Sequence, residues 1–373
     1  MNYMEEKDMR FPKHLQKNGT IGFVAPSFGC ATEPYYSAFM NAQKKLTELG
    51  HSMILGPNCY LSDGIGISNT PEKCAAELME AYESKESEVL ISCGGGELMC
   101  EILEHMNWDR IKKSDSKWYM GYSDNTNFTY LLATICDTAS IYGPCAQTFG
   151  MEPWHESLQD AYDLLCGKEM SMQEADTKFT VSNYPAFEVE SLKDAEHPLE
   201  PYNVTVPYSQ KIYVGEKPQD LMPEGEAGTS KQSINMEGRL LGGCLDCLVT
   251  ISGTVFDHTV DFCEKYKEEG ILWFLEACDL NVFSIRRAMW QLENNGWFKY
   301  VKGFLIGRPR VAEPMMGLDQ YQAVLKVVAK YQVPVIFDLD IGHVAPMMPL
   351  IVGSYAKVNA GKNTLYIEMY EKK

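Results

Sequence analysis

The sequence predicts an α/β fold in two parts, each built from strands that alternate with helices. Three observations carry that expectation. From about residue 20 to 166, short apolar runs alternate with amphipathic ones. Those apolar runs are continuous, as strands covered by helices on both faces of a parallel sheet must be. After an irregular middle, the strand and helix pattern returns from about residue 235.

Ile21-Gly22-Phe23-Val24-Ala25 reads as the first strand and ends at Pro26-Ser27. Tyr36, Phe39, Met40 and Leu46 recur at helical spacing within 33–49, and Gly50 stops the run. Met53-Ile54-Leu55 gives a second strand and Pro71 to Glu83 a second helix, with Thr70 at its N-cap. Val89 to Cys93, residues 118–122 and Ile141 to Pro144 supply further strands, with helices between them. The stretch 167–234 departs from this pattern. It carries four prolines between Pro198 and Pro218, alternation at Tyr202-Asn203-Val204-Thr205-Val206, and a loop-like run from Glu216 to Gln232. It is expected to be a linker with β-hairpins, placed to act as a lid between domains at 1–166 and 235–373. In the last part Gly238 to Gly243 leads into a helix ending at Ser252. Strands at 271–275, 303–306 and 333–336 then alternate with helices at 283–295 and 319–330, and short strands finish the chain.

At 373 residues the chain fits two domains of roughly 150 residues each. Its formal charge of -18, from 51 acidic and 33 basic residues, argues against nucleic acid or an anionic membrane as a partner. The 12 cysteines mostly sit in apolar runs, as buried free thiols in a reducing compartment do. Cys244-Leu245-Asp246-Cys247 has the spacing of half a zinc site but no second pair, so a helix face is expected there and no metal. The N-terminal stretch has no apolar core of a secretory signal, and no run approaches the roughly 18 apolar residues of a membrane span. A cytoplasmic protein is expected.

In an open parallel sheet, ligands bind beyond the C-terminal ends of the strands. Two such ends stand out. Cys93-Gly94-Gly95-Gly96-Glu97 is a glycine run directly after a strand. It lacks the lysine of a phosphate loop and the full spacing of a dinucleotide fingerprint, which leaves a tight turn or an oxyanion hole of backbone N–H groups. In Met120-Gly121-Tyr122-Ser123-Asp124-Asn125-Thr126, Ser123 lies between a strand and a helix. That is the layout of a nucleophile elbow, with Asn125 at the usual glycine position and tolerant of a left-handed backbone. Equally, Ser123 or Asp124 would serve as an N-cap.

A serine nucleophile needs a base. Among the 7 histidines, His14, His51, His105, His155, His197 and His258 read as ordinary surface or core residues. His343 differs: it lies in a loop from Asp338 to Pro346 that leaves a strand, after Gly342, which permits an unusual backbone. The carboxylate that would orient it is Asp338, Asp340 or Glu276. Glu276 ends the apolar strand Ile271-Leu272-Trp273-Phe274-Leu275, where an unpartnered charge is costly.

G-Y-S-D-x-T after a strand, a glycine turn about thirty residues upstream, GRLLGGCLDCLVTISGT at 238–254, a buried strand ending in Glu and a late GH...P occur here in one order. In that order they resemble the LD-carboxypeptidase family of serine peptidases, which includes murein tetrapeptide LD-carboxypeptidases and microcin C self-immunity peptidases. The resemblance spans nearly the whole chain. It implies Ser123 as nucleophile, His343 as base and Glu276 as the orienting carboxylate. It also implies an oxyanion hole from the Asp124 N–H and one N–H among Gly94, Gly95 and Gly96. The implied fold is a flavodoxin-like N-terminal domain, a parallel sheet with helices on both faces, plus a C-terminal α/β domain with barrel character. The active site would lie in the cleft between the two domains, in a homodimer, without metal or organic cofactor. The implied reaction hydrolyses the amide before the terminal D-alanine of a murein peptide.

Two departures bear on the substrate. Murein-cutting members carry Arg-Gly-Gly-Tyr-Gly at the glycine turn, where this chain has Cys93-Gly94-Gly95-Gly96-Glu97. The extra length in 167–234 matches the microcin-type branch, in which the target is an aspartyl-nucleotide amide. Tyr184, Phe187, Tyr202 or Tyr208 could then stack on adenine. A non-catalytic peptide-binding protein is the alternative of another class, and the full set of Ser123, Glu276 and His343 speaks against it.

Overall fold

The computed structural model describes residues 8–168, 171–173, 176–221 and 233–371; residues 222–232 of the expected loop-like run lie outside them. Five strands open the chain: β1 (Thr20–Val24), β2 (Ser52–Leu55), β3 (Val89–Ser92), β4 (Trp118–Gly121) and β5 (Ser140–Tyr142). Helices α1 (Tyr35–Glu48), α2 (Pro71–Glu83), α3 (Trp108–Lys113), α4 (Thr126–Cys136) and α5 (Glu156–Leu165) alternate with or follow them. All pairings among β1 to β5 are parallel. Thr70 occupies the N-cap position of α2 but makes no side-chain cap hydrogen bond, and Pro71 begins the helix instead.

The middle segment supplies β6 (Ser171–Gln173), β7 (Asp176–Ser182), β8 (Ala186–Glu188), β9 (Val204–Pro207), β10 (Lys211–Val214) and β11 (Lys217–Pro218). The remaining strands are β12 (Ile234–Cys244), β13 (Ile271–Glu276), β14 (Val301–Gly307), β15 (Pro334–Leu339), β16 (Leu350–Val352), β17 (Tyr355–Ala360) and β18 (Leu365–Glu371). Between them lie α6 (Leu245–Ile251), α7 (Thr259–Lys265), α8 (Val282–Asn294) and α9 (Gln320–Val328).

Strand order in the first sheet is β16-β5-β4-β3-β1-β2, and in the second β11-β10-β15-β14-β13-β12-β17-β18-β7-β6. Two features differ from the expected linear division. The middle segment builds both edges of the second sheet, pairing β7 with β18 and β10 with β15. In return, β16 from the last part pairs antiparallel with β5 of the first sheet. The halves are therefore interlaced.

They also share one apolar core. Helix α4, with Phe128, Leu131, Leu132 and even Thr126, Asn127 and Thr129 buried, has almost no exposed face because it packs between the first sheet and β12. Each such apolar side chain contributes about 1.5–3 kcal/mol by burial. Tyr130 of α4 stacks on Trp297 at 5.5 Å, and Trp297 stacks on Trp273 of β13 at 5.6 Å, so aromatic packing joins the two sheets. Among the described residues no helix is long and apolar enough to cross a membrane.

Candidate active site

Ser123 follows the C-terminal end of β4, in the middle of the first sheet, and its φ is +63°. A side chain in that left-handed region is strained by roughly 1–2 kcal/mol, and the effect is to push Oγ out of the turn. The left-handed residue of the elbow is thus Ser123 itself, whereas Asn125, expected to fill that role, is right-handed at φ -62°. Asn125 has another task. Its Nδ2 donates to the Gly94 carbonyl at 2.9 Å and to the Tyr122 carbonyl at 3.0 Å, while its Oδ1 accepts from the Tyr119 hydroxyl. It ties the elbow to the glycine turn.

That turn follows β3, the neighbour of β4, so sheet adjacency alone brings it beside Ser123. A Cβ on Gly95 would lie 3.0 Å from both Cβ and Oγ of Ser123, whereas one on Gly94 would face Phe28 and one on Gly96 would run into Ser27. Of the three, Gly95 is the residue against the serine. The Asp124 carboxylate accepts from Ser27 Oγ at 2.5 Å, Met99 N at 2.9 Å and Asn127 Nδ2 at 3.0 Å. Burial raises its pKa and these donors oppose the rise. Its side chain therefore holds three segments around the elbow, and its backbone N–H begins the turn with no intrahelical acceptor.

The second sheet delivers the other groups. Glu276 is the last residue of β13, opposite Cys244 of β12, and only 1% exposed. His343 sits in the loop after β15. Its Nε2 lies 2.9 Å from Ser123 Oγ, and its Nδ1 lies 2.8 Å from Glu276 Oε2. Gly342, at φ +95°, is required here because a Cβ would be driven into the Glu276 carboxylate. The other two carboxylates considered are engaged elsewhere. Asp338 accepts from Gln320 and Tyr321, and Asp340 from Arg308 and the Tyr184 N–H. The remaining histidines lie away from Ser123; His14 meets Glu371, His51 meets Tyr162, and His155 caps α5.

Tyr142, the last residue of β5, escaped the sequence reading. Its hydroxyl donates to Glu276 Oε1 at 2.5 Å and accepts from the Ser123 N–H at 3.3 Å. The one available signal was a polar oxygen at the end of an apolar strand next to that of Ser123. Burial pushes the Glu276 carboxyl up, but the charge of His343 and hydrogen bonds from His343, Tyr142 and Cys244 outweigh it and hold the carboxyl below its ordinary value. For His343, burial works downward, and the Glu276 charge with contacts to Cys278 and Glu276 overcomes it, so the imidazole pKa is raised. The arrangement favours imidazolium strongly once a proton arrives.

Among the described residues one set of metal-ligating atoms meets: Cys244, Glu276 and His343 lie mutually within 4.8 Å. Two of the three are already hydrogen-bonded to each other, and the Cys244 thiol is held protonated by its hydrogen bond with Cys247 and by burial. The set reads as an acid–base chain with a neighbouring thiol. A cavity of about 460 Å³ opens over it, lined by Ser123, His343, Gly94 to Gly96, Asp246 and Arg310. An adjoining cavity of about 180 Å³ is lined by His343, Tyr35, Tyr122, Tyr202 and Lys193. Of the aromatic residues named for stacking, Phe187 and Tyr208 pack on the Arg308 guanidinium and Tyr184 is buried, so Tyr202 alone of the four reaches a cavity beside the serine.

Family models match this chain twice, as the LD-carboxypeptidase N-terminal domain over residues 21–143 and the LD-carboxypeptidase C-terminal domain over residues 237–358. A Bacillus subtilis (strain 168) protein described as "Probable murein peptide carboxypeptidase" is 24% identical over 367 residues, covering 96% of this chain and 94% of its own. Among solved structures, the chain is similar to microcin C7 self immunity protein MccF in complex with aspartyl sulfamoyl adenosine, with TM-score 0.75, 20% identity, and coverage of 97% and 98%. It is also similar to muramoyltetrapeptide carboxypeptidase from Oxalobacter formigenes, with TM-score 0.65, 19% identity, and coverage of 94% and 98%.

Proposed function

Because this chain belongs to the LD-carboxypeptidase family of peptidases, we propose that it is a serine carboxypeptidase that hydrolyses the amide before the terminal D-alanine of murein tetrapeptides. One observation carries the proposal: the continuous hydrogen-bond chain from Ser123 Oγ through His343 to Glu276, at a serine in the left-handed region. His343 Nε2 takes the Ser123 proton as Oγ attacks the carbonyl carbon. Glu276 fixes the tautomer with the proton on Nδ1 and stabilises the imidazolium, and Tyr142 stabilises Glu276. The oxyanion is received by the backbone N–H groups of Asp124 and Gly95, with Gly94 as the alternative partner. The imidazolium then gives its proton to the leaving amine, which departs as D-alanine. A water, deprotonated by His343, cleaves the Ser123 ester and releases the tripeptide acid. The role this supports is recycling of murein peptides.

A second reading, hydrolysis of an aspartyl-nucleotide amide, draws on the aromatic wall of Tyr35, Tyr122 and Tyr202 beside His343, which suits a purine. Mass spectrometry of the wild-type and Ser123→Ala proteins with a murein tetrapeptide and with an aspartyl sulfamoyl adenosine separates the two. Loss of D-alanine alone, dependent on Ser123, is the expected result. Cleavage of the aspartyl amide alone would replace the substrate, activity surviving Ser123→Ala would remove the mechanism, and cleavage of neither substrate by the wild type would reopen the non-catalytic binding alternative.

A further inference from the structure

A carboxypeptidase must recognise the free carboxylate beside the scissile bond, because that group alone distinguishes a terminal residue from an internal one. In this protein the requirement is acute. The chain carries a formal charge of -18, and its cavity is lined by Glu97, Asp124, Asp246 and Asp279. An incoming anion is repelled unless a cation faces it. Arg310 is the one Lys or Arg among the residues lining that cavity.

Its setting suits the task. Arg310 follows β14, and its backbone N–H donates to the Ala277 carbonyl at 3.1 Å, one residue beyond Glu276. The turn it grips is itself fixed, since the Asp246 carboxylate accepts from Cys278 N at 3.1 Å and Asp279 N at 3.0 Å. The stem of Arg310 is thus anchored to the strand end that carries Glu276. The guanidinium, by contrast, is only weakly held: Nη1 donates to the Cys278 sulfur at 3.8 Å, and the Asp279 charge acts on it without closing an ion pair among the described residues. Cys278 in turn contacts His343. The guanidinium therefore stands one thiol away from the imidazole that would protonate the leaving amine, the group to which the terminal residue is attached. Lys193 is the competing cation. Its Nζ already donates to Gln147 Oε1 at 2.8 Å, and it shares the adjoining cavity with Glu188 and Glu200.

We propose that Arg310 is the carboxylate receptor of the site, a specificity-determining residue whose planar fork pairs with the terminal carboxylate of the substrate. This assignment rests on the carboxypeptidase reaction proposed above. The test compares a tetrapeptide ending in D-alanine with the same peptide ending in D-alaninamide, using the wild-type, Arg310→Met, Arg310→Lys and Lys193→Met proteins. The wild type is expected to favour the acid by about 10- to 100-fold in kcat/KM. Arg310→Met erases that preference through KM, with kcat for the acid held within about threefold, and Arg310→Lys restores part of it. Equal slowing of acid and amide by Arg310→Met overturns the assignment, as does loss of the preference in Lys193→Met but not in Arg310→Met. Calorimetry on the Ser123→Ala protein keeps the two levels apart. Absence of D-alanine release by the wild type removes the proposed reaction, whereas equal affinity of Ser123→Ala for acid and amide overturns the role of Arg310 by itself.

Discussion

Replacing Tyr142 by phenylalanine removes a single oxygen and leaves the ring, which packs on Phe274 at 5.3 Å, in place. The lost oxygen is the donor to Glu276 Oε1 and the acceptor for the Ser123 N–H. A hydrogen bond to a charged acceptor contributes about 1.5–3 kcal/mol, and the Glu276 oxygen left behind is buried without a replacement. The Tyr142 hydroxyl is among the groups that hold the Glu276 carboxyl down, so the carboxylate becomes a weaker partner for the imidazolium. If the whole loss is felt in the transition state, kcat/KM for D-alanine release falls about 10- to 150-fold, at about 1.4 kcal/mol per tenfold. The assay is D-alanine release at low substrate, read beside thermal unfolding of the same preparations. A lowered melting temperature with kcat/KM within twofold of wild type would refute the reasoning, since Tyr142 would then brace the fold and leave the acid–base chain untouched.

Two further outcomes follow from the same chain. Glu276 raises the pKa of His343, and only neutral imidazole can take the serine proton, so wild-type activity falls as pH drops through a value above the ordinary 6.5 or so. Glu276→Gln removes the charge that raises it; the acid limb of the kcat/KM profile should move to lower pH while the plateau drops, and an unmoved limb would contradict the coupling. Gly342→Ala places a methyl group against the Glu276 carboxylate at φ +95°, so activity should fall at least tenfold with about 1–2 kcal/mol of lost stability. Activity near wild type in that variant would mean that the loop carrying His343 shifts without consequence.

The parallel core of the first sheet was legible in the sequence because strands buried on both faces are continuous apolar runs. Val89–Ser92 and Trp118–Gly121 are such runs, and their adjacency already predicts that the glycine turn and Ser123 are neighbours. What stayed hidden depends on partners far along the chain. Tyr142 looked like one more apolar strand residue, since the carboxylate that uses its hydroxyl lies 134 positions away. Asn125 was assigned a backbone role on the strength of its position, yet its amide group is the working part. The strands β7 and β10 lie in a polar segment and join the second sheet through β18 and β15, whose positions no local pattern reveals.

The return of β16 to the first sheet has a mechanical consequence. The span from Asp340 to Pro349 carries His343, and it is moored at one shore by β15 and at the other by β16, where Leu350 pairs with Tyr142 itself. The loop that carries His343 is therefore tied to both sheets, like the deck of a short bridge. Swinging the lobes apart would unzip β16 from β5 before it widened the cleft. One residue added or removed between Leu339 and Leu350 is expected to shift His343 relative to Ser123, because both ends of that span are held by strand pairing.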